Sequence, residues 1–254
     1  MKHRDINRDS WNRQAERYQK SVKFSFDFVD YGSMDMETEK DFNLIGDVKG
    51  KKVLDLGCGG GNNSIALAKQ GAIVTGVDIS EGQIKAAIAN AKREGVDVNF
   101  IVSSMEDFVA NEAEYDVVIS MAALGYIENI ELVFKKVSNA LKDRGIFVCN
   151  PPHRMIGCIT SKYLFNDPEE THSYFYTGPL KWKWEDDDDF DFYTYDRPVS
   201  EYLNILIDND FYIKRVLELQ AVHEEIENEG EDEFSKLYPS ALVIKAVKIV
   251  GLGV

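Results

Sequence analysis

Four glycines fall within the five residues 57–61 of the stretch KKVLDLGCGGGNNSIALAK (residues 51–69), between an apolar run and a segment with helical spacing. No other feature constrains the fold of this chain as strongly. Glycine loses more backbone freedom on folding than any other residue, so a plain connection would not concentrate it. At a strand-to-helix turn, glycines let a ligand come close to the main chain. The helix N-terminus then offers N–H groups that have no internal partner.

The sequence around this turn alternates between two periods. KKVLDLG reads as a buried strand, and NNSIALAKQG as a helix with Ile65, Leu67 and Ala68 inside and Gly71 as its stop. AIVTGVDIS is a second strand. EGQIKAAIANAKREG is a helix, with Ile84, Ala87, Ile88 and Ala91 on one face and Gly95 at its end. VDVNFIVS, YDVVISMAAL and RGIFVCN supply three more strands, separated by a short helix at MEDFVAN and a longer one at ENIELVFKKVSNALKD. Strands alternating with helices imply an α/β domain with a parallel sheet and right-handed crossovers.

The alternation breaks after Asn150. Residues 151–197 are dense in aromatics and acids and lack helical periodicity, so they read as an insertion above the sheet. The pattern resumes with VSEYLNILIDNDF as a helix and YIKRVLELQ as a strand. An acidic loop then leads to a last strand, SALVIKAVKIV. With no helix between them, these two strands are expected to pair antiparallel at the sheet edge. Residues 1–45 precede the first strand and are expected to form a helical cover. The whole chain, 1–254, then makes one domain: three layers around a mostly parallel sheet with an antiparallel last strand, plus a lid or acceptor insertion at 151–197.

Composition narrows the partners. The formal net charge of −15 repels phosphate backbones and anionic membrane, which argues against both as partners. No signal-like apolar core opens the chain, and no run of about 18 apolar residues occurs. The three cysteines, Cys58, Cys149 and Cys158, are too scattered for a disulfide framework or a metal site. These features suggest a cytoplasmic protein without a metal, of undetermined oligomeric state.

The glycine turn has a definite chemistry. A dinucleotide site uses G-x-G-x-x-G, but Asn62 stands where the third glycine belongs. The pattern here is Asp55-x-Gly57-x-Gly59-x-Gly61. A carboxylate beside an incoming pyrophosphate would be repulsive, whereas beside an ammonium it would attract. Asp78 ends the second strand, nineteen residues after Gly59, where an acid accepts both hydroxyls of a ribose. A ligand with a ribose, an ammonium and no phosphates is S-adenosylmethionine.

VLDLGCGGGNNS, GVDIS, VSSMEDF, YDVVISMAALGYIENIE and LKDRGIFVCN together resemble the Rossmann-like S-adenosylmethionine-dependent methyltransferases, closely over residues 50–150 and by pattern over 198–250. The resemblance implies transfer of a methyl group to a small-molecule acceptor. It implies that Asp55 and the backbone at Gly57 and Gly59 hold the methionine part. Asp78 holds the ribose, Ile79 packs on the adenine, and Ser104, Met105 and Glu106 frame its edge. Ser120 and Met121 line the sulfonium side. Apart from the resemblance, Tyr18 and Tyr31 in the N-terminal segment are candidates to close over the donor, with ordinary packing of those rings open as well. Plainer readings stand beside these. Asp78 could cap the helix at SEGQ, although Ser80 already suits that job, Ser104 could cap MEDF as well as meet the adenine, and Met121 could be core.

The acceptor side is less legible. His153, after the fifth strand in NPPHRM, is the first choice for a general base, with His172 in the insertion as the second; a structural or surface role is open for both. Adenine-amino methyltransferases carry N-P-P-aromatic after the fourth strand; NPPH follows the fifth and lacks the aromatic. The many rings of YFYTGPLKWKW and FDFYTY suit an apolar or cationic small molecule. A donor-binding scaffold or sensor without transfer activity is the alternative function.

Overall fold

A computed structural model describes residues 2–21, 25–31, 38–155, 158, 173–183, 190–219, 238–239 and 241–250. Its centre is a seven-stranded sheet. The strands are β1 (Lys52–Leu56), β2 (Ile73–Asp78), β3 (Asn99–Val102), β4 (Tyr115–Met121), β5 (Leu141–Asn150), β8 (Phe211–Leu219) and β9 (Ala241–Lys248), in the order β3-β2-β1-β4-β5-β9-β8. The first five are mutually parallel. β9 inserts antiparallel between β5 and β8, so both the parallel run and the antiparallel edge follow the sequence pattern.

The helices are α1 (His3–Ser21), α2 (Glu39–Phe42), α3 (Asn62–Lys69), α4 (Glu81–Glu94), α5 (Ile130–Ala140) and α6 (Val199–Asp208). Side chains alternate across β1 and β4, and this splits the core in two. Leu54, Leu56 and Val118 pack with Val133, Phe134 and Val137 of α5 and with Tyr202 and Leu206 of α6. Val53, Val117 and Ile119 face the other way, against Leu67 of α3 and Val29, Tyr31, Leu44 and Ile45 of the N-terminal segment. A strand buried on both faces reads as a continuous apolar run, which is why β1 and β4 were legible.

Two local expectations need correction. MEDFVAN forms a turn rather than a helix: the Ser104 hydroxyl accepts the Asp107 N–H at 3.0 Å and no further helical turn follows. Ile88 is 55% exposed, and the buried face of α4 is Gln83, Ile84, Ala87 and Ala91. Polar Gln83 takes the inward place because it meets Gln19 of α1 at 2.9 Å.

Helix α1 docks by an unusual face. Its buried residues are Asn7, Ser10, Gln14 and Ala15. The Asn12 side chain accepts from the Ser80 hydroxyl at 2.8 Å and from the Gly82 N–H at 3.1 Å, so α1 helps cap α4. A Cβ on Gly82 would lie 2.9 Å from the Ala15 Cβ; only glycine lets the two helices approach this closely. On its other side α1 meets a two-stranded hairpin from the insertion, β6 (Leu180–Lys183) and β7 (Asp191–Thr194). Asn7 brackets Tyr193, donating to its carbonyl and accepting its N–H, both at 2.8 Å.

Candidate functional site

The chain steps from β1 outward to β3 and then returns across β1 to β4. Ligands of α/β sheets bind at the carboxyl ends of the strands beside such a switch. A cavity of about 410 Å³ opens there, under α1.

Two carboxylates define its floor. Asp55, near the end of β1, is 1% exposed and accepts the Ser64 hydroxyl at 2.6 Å. Burial pushes its pKa up to about 7; the Ser64 bond opposes this and the nearby Asp78 charge adds to it. Asp78, the last residue of β2, accepts the Gly59 N–H at 2.9 Å and the Ser80 N–H at 2.8 Å. Burial raises its pKa as well, against the pull of these N–H groups. Ser80, not Asp78, caps α4, through its bond from the Gln83 N–H at 3.1 Å.

The glycine turn between them is shaped by the protein as well as by space. Gly57 has φ +76°, and a Cβ there would fall 2.3 Å from that of Ala123. Gly59 has φ +52° and nothing closer than 4.0 Å, so its open side faces the cavity. Of the two asparagines that follow, Asn63 accepts the Asp30 N–H at 2.8 Å and donates to its carbonyl at 3.1 Å, fixing the N-terminal segment along the cavity rim.

Of the residues singled out from sequence, Asp55, Gly57, Gly59, Asp78 and Ile79 line this one cavity, and so do Ser104, Met105, Glu106, Met121 and Tyr18. Two do not. Ser120 is fully buried and donates to the Leu56 carbonyl at 2.8 Å, tying β4 to β1 instead of facing a ligand. His153 is 3% exposed; its Nδ1 accepts the Met155 N–H at 3.2 Å, so Nε2 carries the proton and donates to Glu218 at 2.8 Å. Both ring nitrogens are thus engaged outside the cavity, and the general-base reading of His153 is corrected to a structural one. His172 lies outside the described residues. Tyr31 is fully buried and donates to Glu39, which also accepts the N–H groups of Leu44 and Ile45, so it belongs to the core and not to the cavity.

Sequence reasoning missed the roof. Arg4, Asn7 and Trp11 of α1 and Tyr126 line the cavity. Arg4 reaches the turn that follows β3, pairing with Asp107 at 2.9 Å. Trp11 stands edge-on to Tyr18 at 5.1 Å and to Tyr126 at 5.8 Å. These residues come from separated segments, and the one signal was the concentration of Trp and Tyr in a helix with little apolar character. Among the described residues, no cluster of three or more His, Cys, Asp or Glu is placed to hold a metal ion.

A methyltransferase domain model matches residues 47–185, more than half of the chain. The chain belongs to the methyltransferase domain family. Relatives within that resemblance include the ubiquinone biosynthesis O-methyltransferases of Rickettsia canadensis (33% identical over 142 residues, 54% of this chain and 60% of that one) and Coxiella burnetii (34% over 133 residues, 50% and 57%). The chain therefore spans about three fifths of the length of these relatives. A methyltransferase from Mesorhizobium loti, named as S-adenosylmethionine dependent, superposes with a TM-score of 0.67 at 25% identity, over 82% of this chain and 95% of that one. Magnesium protoporphyrin IX methyltransferase from Synechocystis, solved with bound S-adenosylhomocysteine, shares the fold at a TM-score of 0.64 and 20% identity, over 97% and 100% of the two chains. The mixed sheet of this methyltransferase domain is thus the Rossmann-like one of the family. No described helix is long and apolar enough to cross a membrane.

Proposed function

We propose that the protein uses S-adenosylmethionine to methylate an oxygen of a small-molecule acceptor, in the cytoplasm. The observation that carries this reading is the pair of carboxylates, Asp55 and Asp78, facing one cavity across the open backbone of Gly59. The donor set fits. Asp55 meets the ammonium, Asp78 the ribose hydroxyls and Ile79 the adenine face, while Ser104, Met105 and Glu106 lie along its edge. Met121 and Tyr18 border the reactive end. The choice of oxygen rests on the relatives named as O-methyltransferases.

The bound donor supplies a methyl group already activated on a sulfonium. The chain's own work is positional. It holds the acceptor in line behind the carbon, excludes water beneath α1, and keeps the buried carboxylates matched to the donor's positive charge. The new O–C bond forms as the methyl–sulfur bond breaks, the electron pair staying on sulfur, and the acceptor's O–H proton passes to solvent at the cavity mouth.

Calorimetry with S-adenosylmethionine and S-adenosylhomocysteine tests the donor half, with roughly micromolar affinity expected. Incubation with methyl-labelled donor and a small-metabolite extract tests the transfer. Tight binding with no labelled product would favour a donor-sensing subunit; no binding of either ligand would end the reading.

A further inference from the structure

A series of contacts runs along the cavity and begins at the turn after β3. Buried Ser104 closes that turn: its carbonyl accepts the Phe108 N–H at 2.9 Å and its hydroxyl the Asp107 N–H at 3.0 Å. Lys136 of α5 donates to the Glu106 carbonyl and, at 3.1 Å, to the Phe108 carbonyl. The turn is thus pinned both within itself and to the body of the fold. Ser104, Met105 and Glu106 of this turn line the cavity.

The first turn of α1 lies against this fixed post. Arg4 lines the cavity, and its Nη1 pairs with Asp107 at 2.9 Å and donates to the Ser104 hydroxyl at 3.5 Å. The neighbouring His3 holds the insertion. Its ring stacks on Tyr193 with centroids 4.0 Å apart, and its Nδ1 shares a hydrogen bond of 2.6 Å with the Tyr195 hydroxyl. The Tyr195 N–H then donates to the Gly125 carbonyl at 2.7 Å, in the 3-10 turn Leu124–Tyr126 that follows β4. Ala123, just before that turn, presses against Gly57. The contacts therefore pass from the turn after β3, through α1 and the insertion, to the turn after β4 and the glycine loop. Ser104, Arg4, Tyr126 and Gly57, taken in that order, all line the cavity.

We propose that Arg4 is a positioning residue of the donor site: by pairing with Asp107 it latches the first turn of α1 to the turn after β3, and so sets how long the donor and its product stay bound. The proposal rests on the donor reading above, in which the turn after β3 borders the adenine. The later turns of α1 are held elsewhere, by Asn12 on Ser80 and Gly82 and by Gln19 on Gln83. Those contacts need not break when the first turn lifts. The latch itself is built to yield. The Arg4 and Asp107 side chains are 35% and 64% exposed, and ion pairs so open to water are weak and screened by salt. A buried, strong link would trap the product, whereas an exposed one delays its departure without preventing it.

The test uses Arg4→Met, Arg4→Lys, Asp107→Asn and the Arg4→Met/Asp107→Asn double variant of the full chain. Release of labelled S-adenosylhomocysteine is followed by displacement with excess unlabelled ligand, at about 50 mM and about 500 mM salt. Amide exchange of the ligand-free proteins is read by NMR. Release is expected to be about 3–5-fold faster in Arg4→Met and in Asp107→Asn at low salt, with the double variant no faster than the faster single one. Arg4→Lys, which keeps the ion pair, releases close to the wild-type rate. High salt speeds wild-type release towards that of Arg4→Met and leaves Arg4→Met nearly unchanged. In both ligand-free single variants, amides from Ile6 to Asp9 exchange faster while those from Gln14 to Gln19 keep wild-type protection. Wild-type release in Arg4→Met, multiplying effects in the double variant, or the same salt response in wild type and Arg4→Met overturns the proposal. Fast release in Arg4→Met beside wild-type release in Asp107→Asn shows Arg4 acting on the donor without its partner, and overturns the latch. Faster exchange along the whole of α1 with a lowered denaturant midpoint makes the pair a general prop of the fold and overturns it too. If wild-type protein binds no S-adenosylhomocysteine, the donor reading falls and this inference with it. If wild type binds it and both single variants release it at the wild-type rate, only this inference fails.

Discussion

If the proposed donor reading holds, Asp55 makes donor binding depend on pH. Its carboxyl, held near 7 by burial, is increasingly protonated below that value and then offers nothing to an ammonium. Donor affinity is expected to fall as pH drops from 8 to 6, and Asp55→Asn to bind weakly at both values; calorimetry across that range decides. The stability of the ligand-free protein runs the other way. A carboxyl whose folded pKa lies above its unfolded value favours folding at low pH, and that contribution is lost as pH rises through about 7, with each pKa unit worth about 1.4 kcal/mol. Ligand-free Asp55→Asn is therefore expected to be more stable than wild type at pH 8, as read by denaturant melts. His153→Ala should cost stability through its lost bond to Glu218 but leave the rate of the remaining folded enzyme unchanged, since the ring never meets the cavity. The error about His153 has a plain origin. Its place after β5 was legible, but the direction of its ring is set by Met155 and by Glu218 of a strand sixty-five residues on. The meeting of Asp55 and Asp78 at one cavity was legible because both sit at strand ends beside one glycine turn, where spacing fixes direction. Trp11 and Tyr126 were not, because they come from segments far apart in the chain and meet only through the fold.

At the scale of elements, the cover over the cavity is α1 together with the β6–β7 hairpin. Asn7→Ala removes both bonds to Tyr193 and leaves a partly buried amide and carbonyl without partners, a loss of about 1–3 kcal/mol. Hydrogen exchange is expected to accelerate together in α1, β6 and β7, while β1 and β4 keep wild-type protection. Acceleration in only one of the two segments would show that they do not move as a unit. The segment after the hairpin is anchored differently. Buried Arg197 donates to the carbonyls of Tyr195, Ile127 and Glu128 at 3.0, 3.0 and 2.6 Å, joining the insertion's exit to the turn that carries Tyr126. Arg197→Ala should destabilise the protein by about 1–3 kcal/mol for the carbonyls it strands, seen as a lower denaturant midpoint.

At the scale of the molecule, the apolar runs and glycine stops made the order of strands and helices readable, because a sheet covered on both faces demands them. The polar docking of α1 was not readable, since a helix buried through Asn7, Ser10 and Gln14 has no apolar stripe to announce its contact. MEDFVAN misled for a related reason: its spacing suits a helix, but Ser104 closes a turn first. That polar seam gives the cover a thermal character of its own. Apolar contacts near room temperature are driven by entropy and weaken on cooling, whereas hydrogen-bonded contacts release heat as they form. A helix docked in large part through amides and hydroxyls is therefore expected to hold more firmly in the cold and to loosen on warming, while the sheet beneath it, held by apolar packing, stays intact. Access to the cavity would then depend on the temperature of the surroundings.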